Sequence, residues 1–577
     1  MARAGELAVL LRRLLVGAMA CIATYHVLLT ASTVLSSSLH YPFMDQFRIT
    51  LRYLTTPFPD NILALENGHR PILPGLIRVL ELNAFAGWPV LQTTTAWCSA
   101  VAAGALLLWR IHRDLGLASV EGMAAACTVI SLLYWNANAR MLIHAFEAVH
   151  ILYIAFFVVL ALLLAVSRAA ARDKSPWIVA VFLCAAATFT FGPGIASFCA
   201  IGALAVLRRR LGIAVAIGMA AVLALVAYGV LLPGSEGVRS DVAGASPKAT
   251  LTFAVARVGG ITAEIARVMQ IDLQGQMWVS LVAGALLLML VCVSLLRRWR
   301  RLDSLSPIEL VGIGLFVFGC SANALIAVSR TKYFVEYPIQ IFADRYLFWS
   351  GVTWAGAVIY GVSSLQRAGP VARILSACGV AVLGIAMVPP AIEANIWASI
   401  VYGMSELQGV SSKLGLRTDE QLAKLTDDDL AMTYRSLDEM RRRHLNVFAN
   451  ATVLKIGHSV PIAEPAMSVP VKATLMATDE PEHQGATLFS GVLPAGVAAH
   501  EREAELWLAS PDGGLLGRAA LTQPGDASPP YGRLGIADLS GFEGYVQPPV
   551  SGEIFLVSEH GPTIRTLARL TPTSNLR

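Results

Sequence analysis

Three polar clusters interrupt an otherwise apolar chain, and each holds residue types that can handle a proton or a phosphate. The first begins with Asp45 and Arg48 and continues through Glu66-Asn67-Gly68-His69-Arg70-Pro71. A carboxylate a few residues beyond an apolar span is costly near lipid unless it is used. Held in a partly desolvated site, Asp45 could accept a proton from an attacking hydroxyl; its plainer reading is a cap on the next helix. Pro71 can open a helix, and a helix start flanked by His69 and Arg70 suits a phosphate. The plainer reading makes these turn residues held by Glu66 and Asn67.

The second cluster is Asn136, Asn138 and Arg140, followed by His144, Glu147 and His150. The H-x-x-E-x-x-H spacing spreads three side chains over roughly 120° of a helix face. Zinc helices place their histidines four apart. The spacing therefore fits substrate contact or polar packing better than a metal, and no metal site is expected. The third cluster runs from Arg330, Lys332 and Tyr333 to Asp344, Arg345 and Tyr346. Arginine grips phosphate oxygens with paired hydrogen bonds, so these cations suit a phosphate ester, with surface charge as the alternative. Arg52 and Arg78 read more simply as reaching lipid head groups. Arg239, Lys248, Arg257 and Arg267, in an apparent loop over 233–275, have no assigned role.

These clusters need a frame, and composition supplies it. Of 577 residues, 55% are apolar and 14% charged, against about 25% charged in a soluble chain. The net charge of +5 is spread over span ends and not gathered in a stripe, which argues against nucleic acid. All eight cysteines fall in apolar segments without metal-like spacing, so neither a disulfide framework nor a cysteine metal site is expected. The run Leu14 to Leu35 is longer than a secretory signal's core and reads as a retained first span.

Taking about 20 apolar residues per crossing predicts about eleven spans, near 9–36, 88–110, 119–137, 144–167, 177–191, 194–207, 211–232, 276–296, 306–328, 345–363 and 371–391. The fifth and sixth are short, and a hairpin is the alternative for them. Basic connections at Arg12-Arg13, Arg110/Arg113, Arg168/Arg172/Lys174, Arg208 to Arg210, Arg297 to Arg301 and Arg367/Arg373 put the N-terminus in the cytoplasm. All three polar clusters then face outward. Residues 1–391 form the membrane part. Residues 392–446 read as a helical stalk with capping pairs Thr418/Gln421 and Ser436/Glu439. Alternation around Trp507 and Phe555, with proline-rich turns such as Pro529-Pro530 and Pro548-Pro549, predicts a β-sandwich over 447–577. Its Trp507, Tyr531, Phe542 and Tyr545 could stack on sugars or simply fill its core. No repeat of broken helices is visible of the kind transporters use.

An acidic residue just past the first span, a long first loop with surface helices, and arginines in later outer loops together resemble the GT-C glycosyltransferases. The resemblance covers residues 9–391 and rests on Glu66 to Pro71 and on Arg330, Tyr333, Asp344, Arg345 and Tyr346. It implies a mainly α polytopic enzyme in a bacterial inner membrane; the C-terminal domain lies outside the resemblance, and the eleven expected crossings put it on the extracytoplasmic, periplasmic side. It also implies a polyprenyl-phosphate-linked sugar donor and an envelope glycan or lipid acceptor. By position Asp45 would be the base and Glu66 or Glu147 the second carboxylate. Arg48, His69, Arg70, Arg140, His144, Arg330 and Arg345 would then hold substrate, with Tyr333 and Tyr346. No cofactor is expected; a divalent metal is compatible with the class without being called for. Competing expectations are a transporter or flippase of a lipid-linked substrate, and a membrane scaffold displaying the C-terminal domain.

Overall fold

A computed structural model of the chain describes residues 2–66, 68–231, 246–367, 369–416, 418–426, 429–449, 458–465, 467–476, 486–501, 504–522, 541–546, 553–560 and 563–572. Asn67, Arg239, Tyr531 and the Pro529-Pro530 and Pro548-Pro549 turns lie outside the described residues.

The chain is mostly helical. Among the described residues seven helices are long and apolar enough to cross a membrane, within Val9–Ser37, Val90–Leu115, Ala145–Ala165, Leu211–Gly229, Leu273–Arg297, Pro307–Glu336 and Pro370–Lys413. A bent pair, Pro247–Val258 and Gly260–Val268, meets at 70° and makes an eighth if it counts as one span. The eleven expected spans are thus reduced, for a geometric reason. Val120–Leu133 and Ser175–Thr188 have 14 residues each and Ala196–Leu207 has 12. At 1.5 Å per residue they fall well short of about 30 Å of hydrocarbon. Asp344–Leu365 is long enough, with 22 residues, but is diluted by Ser, Thr, Gly and aromatic residues. The stretch read as a loop over 233–275 contains the bent pair instead.

Two local devices set the helix ends. Ser306 and Glu309 form a reciprocal capping box at the start of Pro307–Glu336, which satisfies two orphan amides. Asp272 accepts from Gly275 N at 3.0 Å at the start of Leu273–Arg297. That second helix leaves Val282, Leu286, Met289, Leu290, Val293 and Leu296 exposed. Leaving such a side chain in water forgoes about 1.5–3 kcal/mol each, an arrangement compatible with a multi-pass membrane protein, where lipid covers that face.

Several arginines at the basic helix ends are not free charges. Arg298 Nη1 lies 2.6 Å from the buried carboxylate of Glu309, Arg367 Nη2 3.4 Å from its other oxygen, and Arg373 pairs with buried Glu121.

The chain divides into two compact units. The first comprises 1–32, 58–77 and 92–392, the second 33–57, 78–91 and 393–577. The first loop is therefore split, and its Asp45 end belongs with the C-terminal half of the chain. In the second unit Tyr41 and Phe47 pack with Leu422, Leu437 and Val447. Ser436 donates to Phe47 O at 2.7 Å, and Asn446 Nδ2 donates to His40 O at 2.7 Å. The expected capping pairs do not form. The helix Leu430–Arg442 starts at Asp429, so Ser436 is mid-helix, and Thr418 donates to Gln408 and makes no cap bond.

The expected sandwich is a closed barrel. Among the described residues it has strands β1 Ser468–Met476, β2 Ala486–Val492, β3 Glu505–Ala509, β4 Leu515–Thr522, β5 Gly541–Val546, β6 Ile554–His560 and β7 Thr563–Pro572. The order is β1-β2-β5-β4-β3-β6-β7, and a parallel β1–β7 pairing closes the ring. Closure removes the free edges that two stacked sheets would leave. Phe489, Leu508, Phe542, Val546 and Leu556 fill the interior. Trp507, Phe542 and Tyr545 are buried, so they are packing residues and do not offer a face to a sugar.

Candidate functional site

In the first unit the short segment after the Asp60–Leu63 helix closes on itself. Glu66 and His69 exchange backbone hydrogen bonds of 2.8 Å in both directions, with Gly68 at φ +78°. That φ suits glycine, which has no Cβ to clash. The turn aims His69 at the Gly192-Pro193-Gly194 corner. Phe191 lies with its ring 4.1 Å from the His69 ring and 4.8 Å from the His150 ring, nearly parallel to the latter. Gly192 is required for this approach, because a Cβ there would sit 2.5 Å from His69 Nδ1. Phe146 continues the stack, 5.0 Å from His150 and 5.6 Å from His144. Three histidines and two phenylalanines thus alternate in one row. Burial and the charge of Arg330 lower the His69 pKa to about 3, so its imidazole is neutral at physiological pH.

Glu66 closes the other side, its Oε1 3.7 Å from His150 Nε2 with both side chains buried. Arg70 is fully buried: Nε donates to Tyr228 O at 2.6 Å and Nη1 to Leu63 O at 2.7 Å. Its hydrogen bonds to backbone carbonyls pin the turn.

The second and third sequence clusters meet. Arg140 Nε lies 2.6 Å from Glu147 Oε1, and His144 Nδ1 3.9 Å from the same oxygen. Arg140 N donates to Asp344 Oδ2 at 3.4 Å, while Arg345 N donates to Asp344 Oδ1 at 2.7 Å. His144 occupies the N-cap position of Ala145–Ala165, with Glu147 in its first turn. Glu147 and His150 take different partners, so the H-x-x-E-x-x-H spacing is shared between two clusters. Among the described residues no three His, Cys, Asp or Glu side chains gather as a metal set would.

Around Tyr346 the cations accumulate. The guanidinium of Arg257 lies 4.6 Å from its ring centre and that of Arg345 5.1 Å. The charge of half-buried Arg330 also acts on the Tyr346 hydroxyl, and Tyr333 acts on Arg345. Arg257 is 2% exposed, anchored by Nη1 to Ile341 O at 3.0 Å and Nη2 to Asn323 Oδ1 at 3.1 Å. Its Nε, the Nε of Arg345 and both side-chain polar atoms of Asn138 are buried without a hydrogen-bond partner among the described residues. Native proteins rarely leave such groups unsatisfied. Arg140 and Arg345 face the carboxylates Glu147 and Asp344, while Arg257 and Arg330 add charge on the Tyr346 side, so among the described residues the cluster carries a surplus of positive charge.

Arg330 joins the two halves, because its charge reaches both His69 and Tyr346. The first unit therefore brings together Glu66, His69, Arg140, His144, Glu147, Arg330, Tyr333, Arg345 and Tyr346 of the expected residues. Asp45 and Arg48 belong to the second unit, where Arg48 Nη2 lies 3.1 Å from Asp45 Oδ1. Asp45 makes no cap bond to Gln46–Thr55. The residue before it, Met44, is buried at φ +54°, a conformation that non-glycine residues seldom adopt without a local reason. Sequence reasoning missed Arg257, Asn323, Phe191 and Tyr228. The Gly259-Gly260 pair was the available signal for the first, since it breaks a helix that Ser246-Pro247 had started.

No family model matches this chain, and no curated protein or solved structure matches it at a significant level. Function must be argued from these residues.

Proposed function

We propose that this protein is a membrane glycosyltransferase that moves a sugar from a polyprenyl-phosphate donor to an acceptor hydroxyl outside the cytoplasm, in a bacterial inner membrane. The observation that carries the reading is the arginine surplus around Tyr346, with buried N–H groups left unsatisfied. A phosphate would supply both the missing charge and the missing acceptors.

In the proposed reaction the acceptor oxygen attacks the anomeric carbon and the carbon–oxygen bond to phosphate breaks, with inversion. The polyprenyl phosphate leaves with its negative charge stabilised by Arg345, Arg257 and Arg330 of the first unit; the base role for the hydroxyl proton is assigned to Asp45 from its place just past the first span. Neutral His69 serves as a hydrogen-bonding group and Glu66 orients His150. The test is purified protein in vesicles supplied with a panel of polyprenyl-phosphate sugars. Asp45→Asn should lower transfer by about 10²- to 10⁴-fold. Undiminished transfer in that variant removes Asp45 from the base role.

One observation favours a second reading. The 70° break between Pro247–Val258 and Gly260–Val268 places Arg257 next to a discontinuous helix, a device transporters use at their substrate sites. Movement of a fluorescent lipid-linked sugar across the bilayer, with no glycosyl product formed, would favour it.

A further inference from the structure

The second unit holds a cavity of about 580 Å³ that none of the reasoning above uses. Its volume lies inside the roughly 300–1,000 Å³ range of small-molecule sites. One wall is the end of the first helix, with Ser36 and Ser37. A second is one face of the helix Val388–Lys413, where Ile396, Ser399, Ile400 and Gly403 recur at helical spacing and Tyr402 stands beside them. The barrel supplies the third wall, with Glu505 from β3, Arg518 from β4 and Glu559 from β6. Glu501, 2% exposed, completes it.

The polar groups of this wall are held in place. Trp507 Nε1 donates to Glu559 Oε2 at 3.1 Å. Arg518 stacks on the Trp507 ring at 5.0 Å, and its Nη1 lies 3.2 Å from Glu406 Oε2. Glu406 in turn stands 3.5 Å from His40 Nδ1. Locked first-contact groups with a supporting layer behind them are what a binding site requires.

The lining decides the ligand class. Three carboxylates face one guanidinium, which Glu406 and Glu505 already share, so an anion is repelled. No three potential metal ligands converge among the described residues. Serine hydroxyls and carboxylates beside the Tyr402 ring and aliphatic Leu35, Ile400 and Leu506 suit a molecule with hydroxyl groups at its edge and C–H groups on its face. We infer that this cavity binds a saccharide without negative charge. The inference does not depend on the transferase reading; within that reading, the cavity would hold the acceptor glycan.

The test is saturation-transfer NMR on the full-length protein in detergent, with glucose, galactose, mannose, rhamnose, N-acetylglucosamine and glucuronate as the probes. At least one neutral sugar should show transfer, with glucuronate at least tenfold weaker. Glu559→Gln should weaken binding about tenfold, and Ser399→Trp, which fills the cavity, should abolish it. Thermal melting checks that each variant is folded, and Glu559→Gln retains an acceptor for Trp507 should Ser399→Trp fail to fold. Absence of transfer from every neutral sugar overturns the inference, as does unchanged binding in the folded variants or glucuronate binding as well as its neutral counterparts. Because the readout is binding, a protein that binds sugars but transfers none would leave this site standing and remove the transferase.

Discussion

At the residue scale the site is a matter of unbalanced charge. Arg257 is the sharpest probe, because among the described residues it forms no ion pair; its two Nη atoms sit on Ile341 O and Asn323 Oδ1. Arg257→Met leaves two acceptors short of a donor, a cost of about 1–3 kcal/mol, yet it eases repulsion among the remaining arginines. The variant should therefore fold and lose about 10²- to 10³-fold in transfer, read in the vesicle assay, whereas exposed Lys332→Met should change transfer little. His69 gives a pH prediction. Its folded pKa is about 3 and its unfolded value about 6.5, so the unfolded chain binds the extra proton between those limits. Stability from this group is present above about pH 6.5 and is lost as pH falls toward 3. Melting temperatures at pH 7.5 and 5.0 should differ more for the wild type than for His69→Gln; equal differences would mean that His69 is not buried as a neutral group. Much of this cluster could be read in the sequence, because Arg140, Glu147, Arg330 and Arg345 stand out wherever charge interrupts apolar runs. Their pairings could not. Arg70 has the same side chain as the other arginines, and only packing reveals that its Nε and Nη1 donate to backbone carbonyls.

At the element scale, two glycine-bearing breaks position the chemistry. The corner Gly192-Pro193-Gly194 seats Phe191 between His69 and His150. Gly192→Ala would press a methyl group against His69 Nδ1, so the ring must move or the corner must open. Transfer should fall about tenfold or more with little change in donor affinity, since a small misplacement at a site is costly. Gly194→Ala should instead unfold the corner, because its Cβ would overlap the Ala187 carbonyl. Measuring kcat, KM and melting temperature for both variants separates positioning from folding. The helices themselves follow from apolar content and were visible in the chain. Their true ends were less so: the expected caps at Thr418 and Ser436 are absent, while Ser306 and Glu309 form the cap that was overlooked. Capping signatures are short and recur by chance, whereas a span integrates twenty residues. The association of the Asp45 segment with the helix Leu430–Arg442 is long-range, joining Phe47 to Ser436, and no local pattern encodes it.

At the scale of the whole molecule, the bent pair sets whether the candidate spans number seven or eight. The sequence reading counted about eleven crossings; the four that drop out, Val120–Leu133, Ser175–Thr188, Ala196–Leu207 and Asp344–Leu365, are even in number. Parity therefore survives their loss: if all seven candidate helices cross, the two ends of the chain lie on opposite sides. An eighth span at Pro247–Val268 would place them on the same side. A 70° bend between pieces of 12 and 9 residues gives lengths of about 18 and 14 Å, neither of which spans hydrocarbon alone, as expected for a segment that enters and leaves on one face. We propose that Arg12 and Arg13 hold the N-terminus in the cytoplasm; seven crossings would then leave the barrel and its cavity facing outward. Lys472 in β1 is exposed, and the native cysteines all lie in helices. In intact cells Lys472→Cys should react with a membrane-impermeant maleimide without permeabilisation, and labelling that needs disrupted cells would make the bent pair a true crossing. Such a result would place the saccharide cavity where no extracytoplasmic glycan could reach it.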